Sequence, residues 1–140
     1  MSTPRTLAIL TTLGVLTVAL LWVFQGVEPI SEEDRAHPGT DPYNQNCATC
    51  HGRNLRGAET GPPLVGRAFE LAWEGRTVAD LFQYNRTLMP PGGGGSLSDS
   101  VYLDISAYIL KHNGMKLDSV GLAADMELLS GIEIRADTER

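Results

Sequence analysis

Cys47, Cys50 and His51 have the clearest capacity for chemistry in this 140-residue chain. In Cys47-Ala48-Thr49-Cys50-His51 two thiols lie three positions apart, about one helical turn, and an imidazole follows directly. Thiols are nucleophiles and imidazoles are metal ligands. At this spacing they form the attachment signature of a c-type haem: each thiol adds across one porphyrin vinyl group, and the imidazole ligates the iron. The chain has two cysteines in all, both in this motif, so none remains for a structural disulfide.

A haem iron held by histidine has a second axial position. Met89 is the best candidate for it, on a non-helical segment pinned by Pro90 and Pro91. A thioether is a soft neutral donor that favours the reduced iron and raises its potential. Met115, just after Asn113-Gly114, competes, and Met126 is a third choice in an amphipathic stretch that suits packing. The glycine run 92–95 lacks a preceding strand and the spacing of a phosphate loop. It is expected to let the backbone wrap close to the haem edge. In Gly61-Pro62-Pro63-Leu64-Val65-Gly66 the two prolines stiffen the loop and remove two amide donors. A carbonyl there could accept the other ring N–H of a ligating histidine, although the pattern also suits a plain surface turn. Trp73 and Arg76, which flank Gly75, could bond to a haem propionate, with Tyr84 as a further candidate haem contact. Trp73 reads equally well as core. His37 reads as a solvated linker residue, and His112 as a helix C-terminal or exposed residue.

The elements that must position these groups read as short helices. Thr40 or Asp41 can cap a helix running into the motif, with Pro42 in its first turn and Tyr43 on the face of Cys47. Residues 67–74 form a second helix. Residues 77–87 form a third, capped by Thr77 with Asp80 three positions on, and with Val78, Leu81 and Phe82 apolar. Ser98 opens a fourth, in which Val101, Ile105, Tyr108 and Ile109 share helical spacing and Asn113-Gly114 is the stop. A short helical pattern spans 122–129, and Ile132-Glu133-Ile134 is extended, laid along the domain surface.

Residues 7–24 carry no charge over 18 positions, close to the length needed to cross a bilayer. Arg5 precedes them and acids follow, which favours an uncleaved anchor with the N-terminus inside. A cleaved signal peptide is the alternative, but no small-residue cleavage triplet follows Phe24. The segmentation is anchor 1–27, linker 28–39 with a capping pattern at Ser31 and Asp34, haem domain 40–116, and C-terminal extension 117–140 with a loose end. Beyond the leader the chain carries 17 acids against 10 bases, which argues against double-stranded nucleic acid as a partner. About 110 residues make a marginal core, and a buried haem would supply much of the missing apolar surface.

Residues 39–134 resemble a class I cytochrome c, most of all the small monohaem domains that accompany bacterial quinoprotein alcohol dehydrogenases. The resemblance lies in Asn46 through Gly52, Gly61-Pro62-Pro63-Leu64, Met89-Pro90-Pro91-Gly92-Gly93, Ser96-Leu97-Ser98-Asp99, the run 108–114 and the tail 129–134. It implies an all-α fold of three to five short helices around one covalent haem c, preceded here by the transmembrane helix. It implies thioethers at Cys47 and Cys50, axial ligation by His51 and Met89, and the Pro62 carbonyl as acceptor of the His51 ring N–H. The helix of Tyr43 would cross that of Tyr108. The family's first helix is usually longer, and Pro38 and Pro42 shorten it here, which leaves the part played by Gly39 in the crossing to the structure.

A closed six-coordinate iron exchanges electrons and has no position for substrate. The expectation is therefore an electron carrier rather than an enzyme. It would be tethered to the outer face of the bacterial inner membrane, with its haem in the periplasm. It would pass electrons from a periplasmic dehydrogenase toward the respiratory chain, or else serve as the cytochrome c subunit of an oxidase. A gas sensor or haem enzyme would need Met89 not to bind. A thiol–disulfide oxidoreductase would need a βαβ context, and a zinc site would need a second ligand pair.

Overall fold

The computed structural model describes residues 36–115, 117 and 125–135. The expected anchor, the Ser31–Asp34 capping pattern, residues 116 and 118–124 and the chain end beyond Arg135 lie outside the described residues. Six helices occur among the described residues: α1 Thr40–Asn46, α2 Ala48–His51, α3 Arg67–Trp73, α4 Val78–Leu88, α5 Asp99–His112 and α6 Met126–Ser130. No helix among them is long and apolar enough to cross a membrane.

α5 is the axis of the fold because its apolar residues cover more than one face. Tyr102, Leu103, Ile105, Tyr108, Ile109 and Leu110 are all buried, so one helix can serve several neighbours. α4 packs along it, and α1 crosses it. Ser98 caps α5 by accepting the Val101 amide at 3.4 Å. Past its C-terminus Gly114 takes a φ of 86°, and the Met115 amide returns to the Leu110 carbonyl at 3.0 Å, a helix stop of the kind that needs glycine. Asn113 adds a tertiary tie, donating to the Leu64 carbonyl at 2.9 Å and accepting the Gly66 amide at 3.2 Å.

α4 starts as its sequence requires. The Asp80 amide donates to Thr77 Oγ1 at 3.2 Å and the Thr77 amide donates to Asp80 Oδ2 at 2.9 Å, a complete capping box. Val78, Leu81, Phe82 and Asn85 form its buried face.

The start of α1 differs from the sequence expectation. Its cap position is Gly39, with no side-chain cap, and Thr40 is already inside the helix and 3% exposed. The reason is the crossing: a Cβ on Gly39 would overlap the Asp104 carbonyl oxygen and sit 2.7 Å from Tyr108 Cβ. The crossing therefore rests on Gly39 itself, despite the short helix. His37 is likewise no solvated linker residue. Its Nδ1 accepts the Gly39 amide at 3.0 Å, its carbonyl accepts the Thr40 amide at 3.0 Å, and its ring lies 5.5 Å from that of Tyr108. His112 packs edge-on against the same tyrosine at 4.5 Å.

The tail is more deeply integrated than a surface strip. Glu133 forms an antiparallel bridge with Thr77, and the backbone of Ile132 and Ile134 bonds to residues 75–78 at 2.7–3.0 Å. Leu129 and Ile134 are in the core, whereas Met126, expected to pack, is 36% exposed. Alternation explains this: a strand that buries Ile134 turns Glu133 outward, and so short a helix as α6 has room for one inward residue, Leu129.

Candidate haem site

His51 is the last residue of α2, and a left-handed Gly52 (φ 76°) turns the chain sharply after it. Tyr43 holds that turn, donating its hydroxyl to the Gly52 carbonyl at 2.7 Å. Burial, with Cys47 and Tyr108 close by, pushes the Tyr43 hydroxyl well above its ordinary range, so it remains a donor. Leu55 adopts a φ of 60° that is strained for a leucine, and its fully buried side chain holds it there. The chain then folds back on the motif. The Gly57 amide bonds to the His51 carbonyl at 2.9 Å. Gly61 lies so close that an added Cβ would be 2.5 Å from the Cys50 carbonyl oxygen and 3.0 Å from His51 Nδ1.

This approach places the Pro62 carbonyl 2.8 Å from His51 Nδ1. A carbonyl can only accept, so the proton resides on Nδ1 and the lone pair on Nε2. The ring is therefore held in one tautomer and one orientation, with Nε2 left to face a metal. Cys47 and Cys50 are not joined in a disulfide. Burial, and then the neighbouring Cys50, push the Cys47 thiol up to about 11, so it is a neutral thiol at physiological pH.

Met89 follows the last residue of α4 in an extended conformation. Its amide donates to the Asn85 carbonyl at 3.0 Å, and its carbonyl accepts the Tyr102 hydroxyl at 2.9 Å. The peptide to Pro90 is cis. The glycine run does not wrap toward the site as expected. The Gly95 amide bonds back to the Arg86 carbonyl at 2.7 Å, and a Cβ on Gly94 would overlap the Thr87 carbonyl oxygen. These glycines allow the loop to fold onto the end of α4, leaving Pro90 and Pro91 to face the site.

His51, both cysteines and Met89 line one cavity of about 400 Å³. Pro62, Trp73, Arg76 and Tyr84 line it too, so both thiols, the favoured ligand pair and the four candidate contacts converge there. Trp73 is both wall and core, 7% exposed, with the Arg76 guanidinium 4.5 Å over its ring and Tyr84 edge-on at 5.3 Å. Among the described residues Arg76 is the cavity's one charged lining residue other than the titratable motif groups, and it suits an anionic substituent at the rim. Met115 packs on the core instead, and Met126 lies 3.5 Å from the Gln83 amide nitrogen. Neither lines the cavity.

Asn85, Phe69, Leu97, Tyr102 and Ile105 also line the cavity and were not anticipated. Asn85 was detectable: it falls on the apolar face of α4, seven positions after Val78, where a lone polar residue needs a reason. The cavity fits a haem. It is apolar, it joins a paired-thiol anchor to a soft sulfur and an oriented nitrogen, and the glycine at 61 leaves space only for the loop that fixes the ring.

The model of the family described as "Cytochrome C oxidase, cbb3-type, subunit III" matches residues 34–109. The chain is also similar to the thiosulfate dehydrogenase of Stutzerimonas stutzeri (strain A1501), with 29% identity over 121 residues, covering 71% of this chain. It spans only 39% of that relative's length. No solved structure matches. With the motif, the cavity and a family match over more than half of its length, the chain belongs to the c-type cytochrome family so described, as a class I cytochrome domain that carries covalently attached haem c.

Proposed function

We propose that this cytochrome is a membrane-tethered single-electron carrier rather than an enzyme. It is anchored through residues 7–24 with the haem domain in the periplasm. It accepts electrons from a periplasmic dehydrogenase and passes them toward the respiratory chain. The observation that carries the reading is the convergence of His51 and Met89 on one cavity. When bound, haem c supplies one iron that takes up and releases a single electron. Cys47 and Cys50 would hold it through thioethers, with His51 Nε2 and Met89 Sδ as the protein ligands of the iron, so the iron would serve electron transfer rather than substrate binding. Pro62 fixes the His51 ring and raises its basicity, while the thioether of Met89 favours the reduced iron. The buried walls of Phe69, Trp73 and Ile105 keep water away and limit reorganisation.

Two of the similarities bear on partners. A dehydrogenase among them supports a dehydrogenase as electron source, and the family's description favours a second reading, a subunit of an oxidase. Met89→Ala tests the coordination. The methionine–iron charge-transfer absorbance is expected to vanish and the midpoint potential to fall, while Met115→Ala leaves both at parental values; the reverse pattern overturns the assignment. For the tether, the membrane fraction is expected to hold the full-length chain. A soluble mature form starting after Phe24 overturns it.

A further inference from the structure

Two hydrogen bonds join α4 to α5 beside the cavity. Asn85 Nδ2 donates to Ser106 Oγ at 3.0 Å, and the Tyr102 hydroxyl donates to the Met89 carbonyl at 2.9 Å. Asn85 lies in the last turns of α4 with Met89 just past its end, and Tyr102 and Ser106, four positions apart, stand on one face of α5. The two helices therefore meet as a pair of rungs. Ser106 Oγ also donates to the Tyr102 carbonyl at 2.8 Å, which satisfies the hydroxyl as both donor and acceptor. Tyr102 is 1% exposed and Ser106 0%, so both hydroxyls are buried and depend on these partners.

Met89 needs such support. A thioether has no donor and is a weak acceptor, so its own polar chemistry does little to set its direction. Its position is inherited from its backbone. The amide is committed to Asn85 within α4, and the carbonyl is committed to Tyr102.

We infer that Tyr102 is a positioning residue for Met89: its hydroxyl latches the Met89 carbonyl and so holds the thioether in the cavity, with the Asn85–Ser106 bond fixing the level of the last turn of α4. The inference rests on the reading that Met89 is an axial ligand.

The test is displacement of that ligand from the full-length holoprotein by added imidazole, followed through the methionine–iron charge-transfer absorbance. Tyr102→Phe keeps the ring in the core and removes the latch. Its imidazole affinity is expected to rise about tenfold, the factor carried by one buried hydrogen bond. Ser106→Ala removes the lower rung and is expected to raise affinity in the same direction by a smaller factor, which keeps the idea testable should Tyr102→Phe fold poorly. Tyr43→Phe is the comparator. It loses an equally buried hydroxyl, bonded to Gly52 on the His51 side, and is expected to lower the melting temperature with parental imidazole affinity. Parental affinity in both Tyr102→Phe and Ser106→Ala, or an equal rise in Tyr43→Phe, overturns the latch. Persistence of the charge-transfer band in Met89→Ala instead overturns the ligand assignment on which the latch depends, so the two failures are distinct.

Discussion

His51 and Met89 are fixed by different means, and their chemistry explains why. His51 carries its own N–H, so one side-chain hydrogen bond to Pro62 sets its ring. Everything that sets it is local: Gly52, Leu55, Gly57, Gly61 and Pro62 follow it within eleven positions. Met89 has no polar handle of that kind. Its placement comes from a helix end, a folded-back loop and a tyrosine from α5. A ligand able to hydrogen-bond can be held by its own loop, whereas one that cannot must be held by the tertiary structure.

The strongest test of that contrast is Gly61→Ala. Its Cβ would lie 2.5 Å from the Cys50 carbonyl oxygen and 2.7 Å from the carbonyl carbon. Both are backbone atoms that cannot swing aside, so the loop must retreat and Pro62 leaves His51. The expected cost is about 1–3 kcal/mol, the range for overpacking a tight site, read by thermal unfolding. Weakening the Nδ1–H bond lowers the basicity of the ring, so the midpoint potential is expected to rise while imidazole displacement of Met89 stays parental. Gly94→Ala is the matched change on the other side. Its Cβ would overlap the Thr87 carbonyl oxygen, but the surrounding loop is exposed and gives way more easily. A cost of about 1 kcal/mol is expected, together with easier imidazole displacement. If the two variants move the same observable, the two sides are not held independently.

That division also marks what was legible in the sequence. The His51 side is written in nearby residues: the thiol spacing and the glycines and prolines of the 61–66 loop. Met89 stood out because Pro90 and Pro91 exclude a helix there. What held it in place was not readable. The Tyr102–Met89 and Asn85–Ser106 bonds depend on how α4 and α5 are rotated against each other, and that rotation is set by the whole core. The role of His37 at the start of α1 was missed for the same reason, because Gly39 has to meet Asp104 and Tyr108 before the helix can begin. The glycine run misled in another way. Four glycines declare a close approach without saying to what, and the neighbour proved to be the end of α4.

The smallest effect separates the end of α4 from α4 as a whole. Thr77→Ala removes the cap at the end of the helix remote from Met89, and a loss of about 1 kcal/mol is expected. It also carries a pH signature. The Asp80 carboxyl is held below its ordinary value by the Thr77 amide, then by the Thr77 hydroxyl, with Arg76 assisting. A carboxylate with a depressed folded pKa stabilises the fold above its unfolded value, about 3.9, and that stabilisation is lost as pH falls through the folded value. The gap between parent and Thr77→Ala is therefore expected to be widest near neutrality and to narrow below about pH 4, a modest change because Asp80 is exposed. Imidazole displacement should stay at the parental level throughout. Should Thr77→Ala instead ease displacement as much as Tyr102→Phe does, the thioether depends on the integrity of the whole helix, and the latch at its C-terminal end has no separate role.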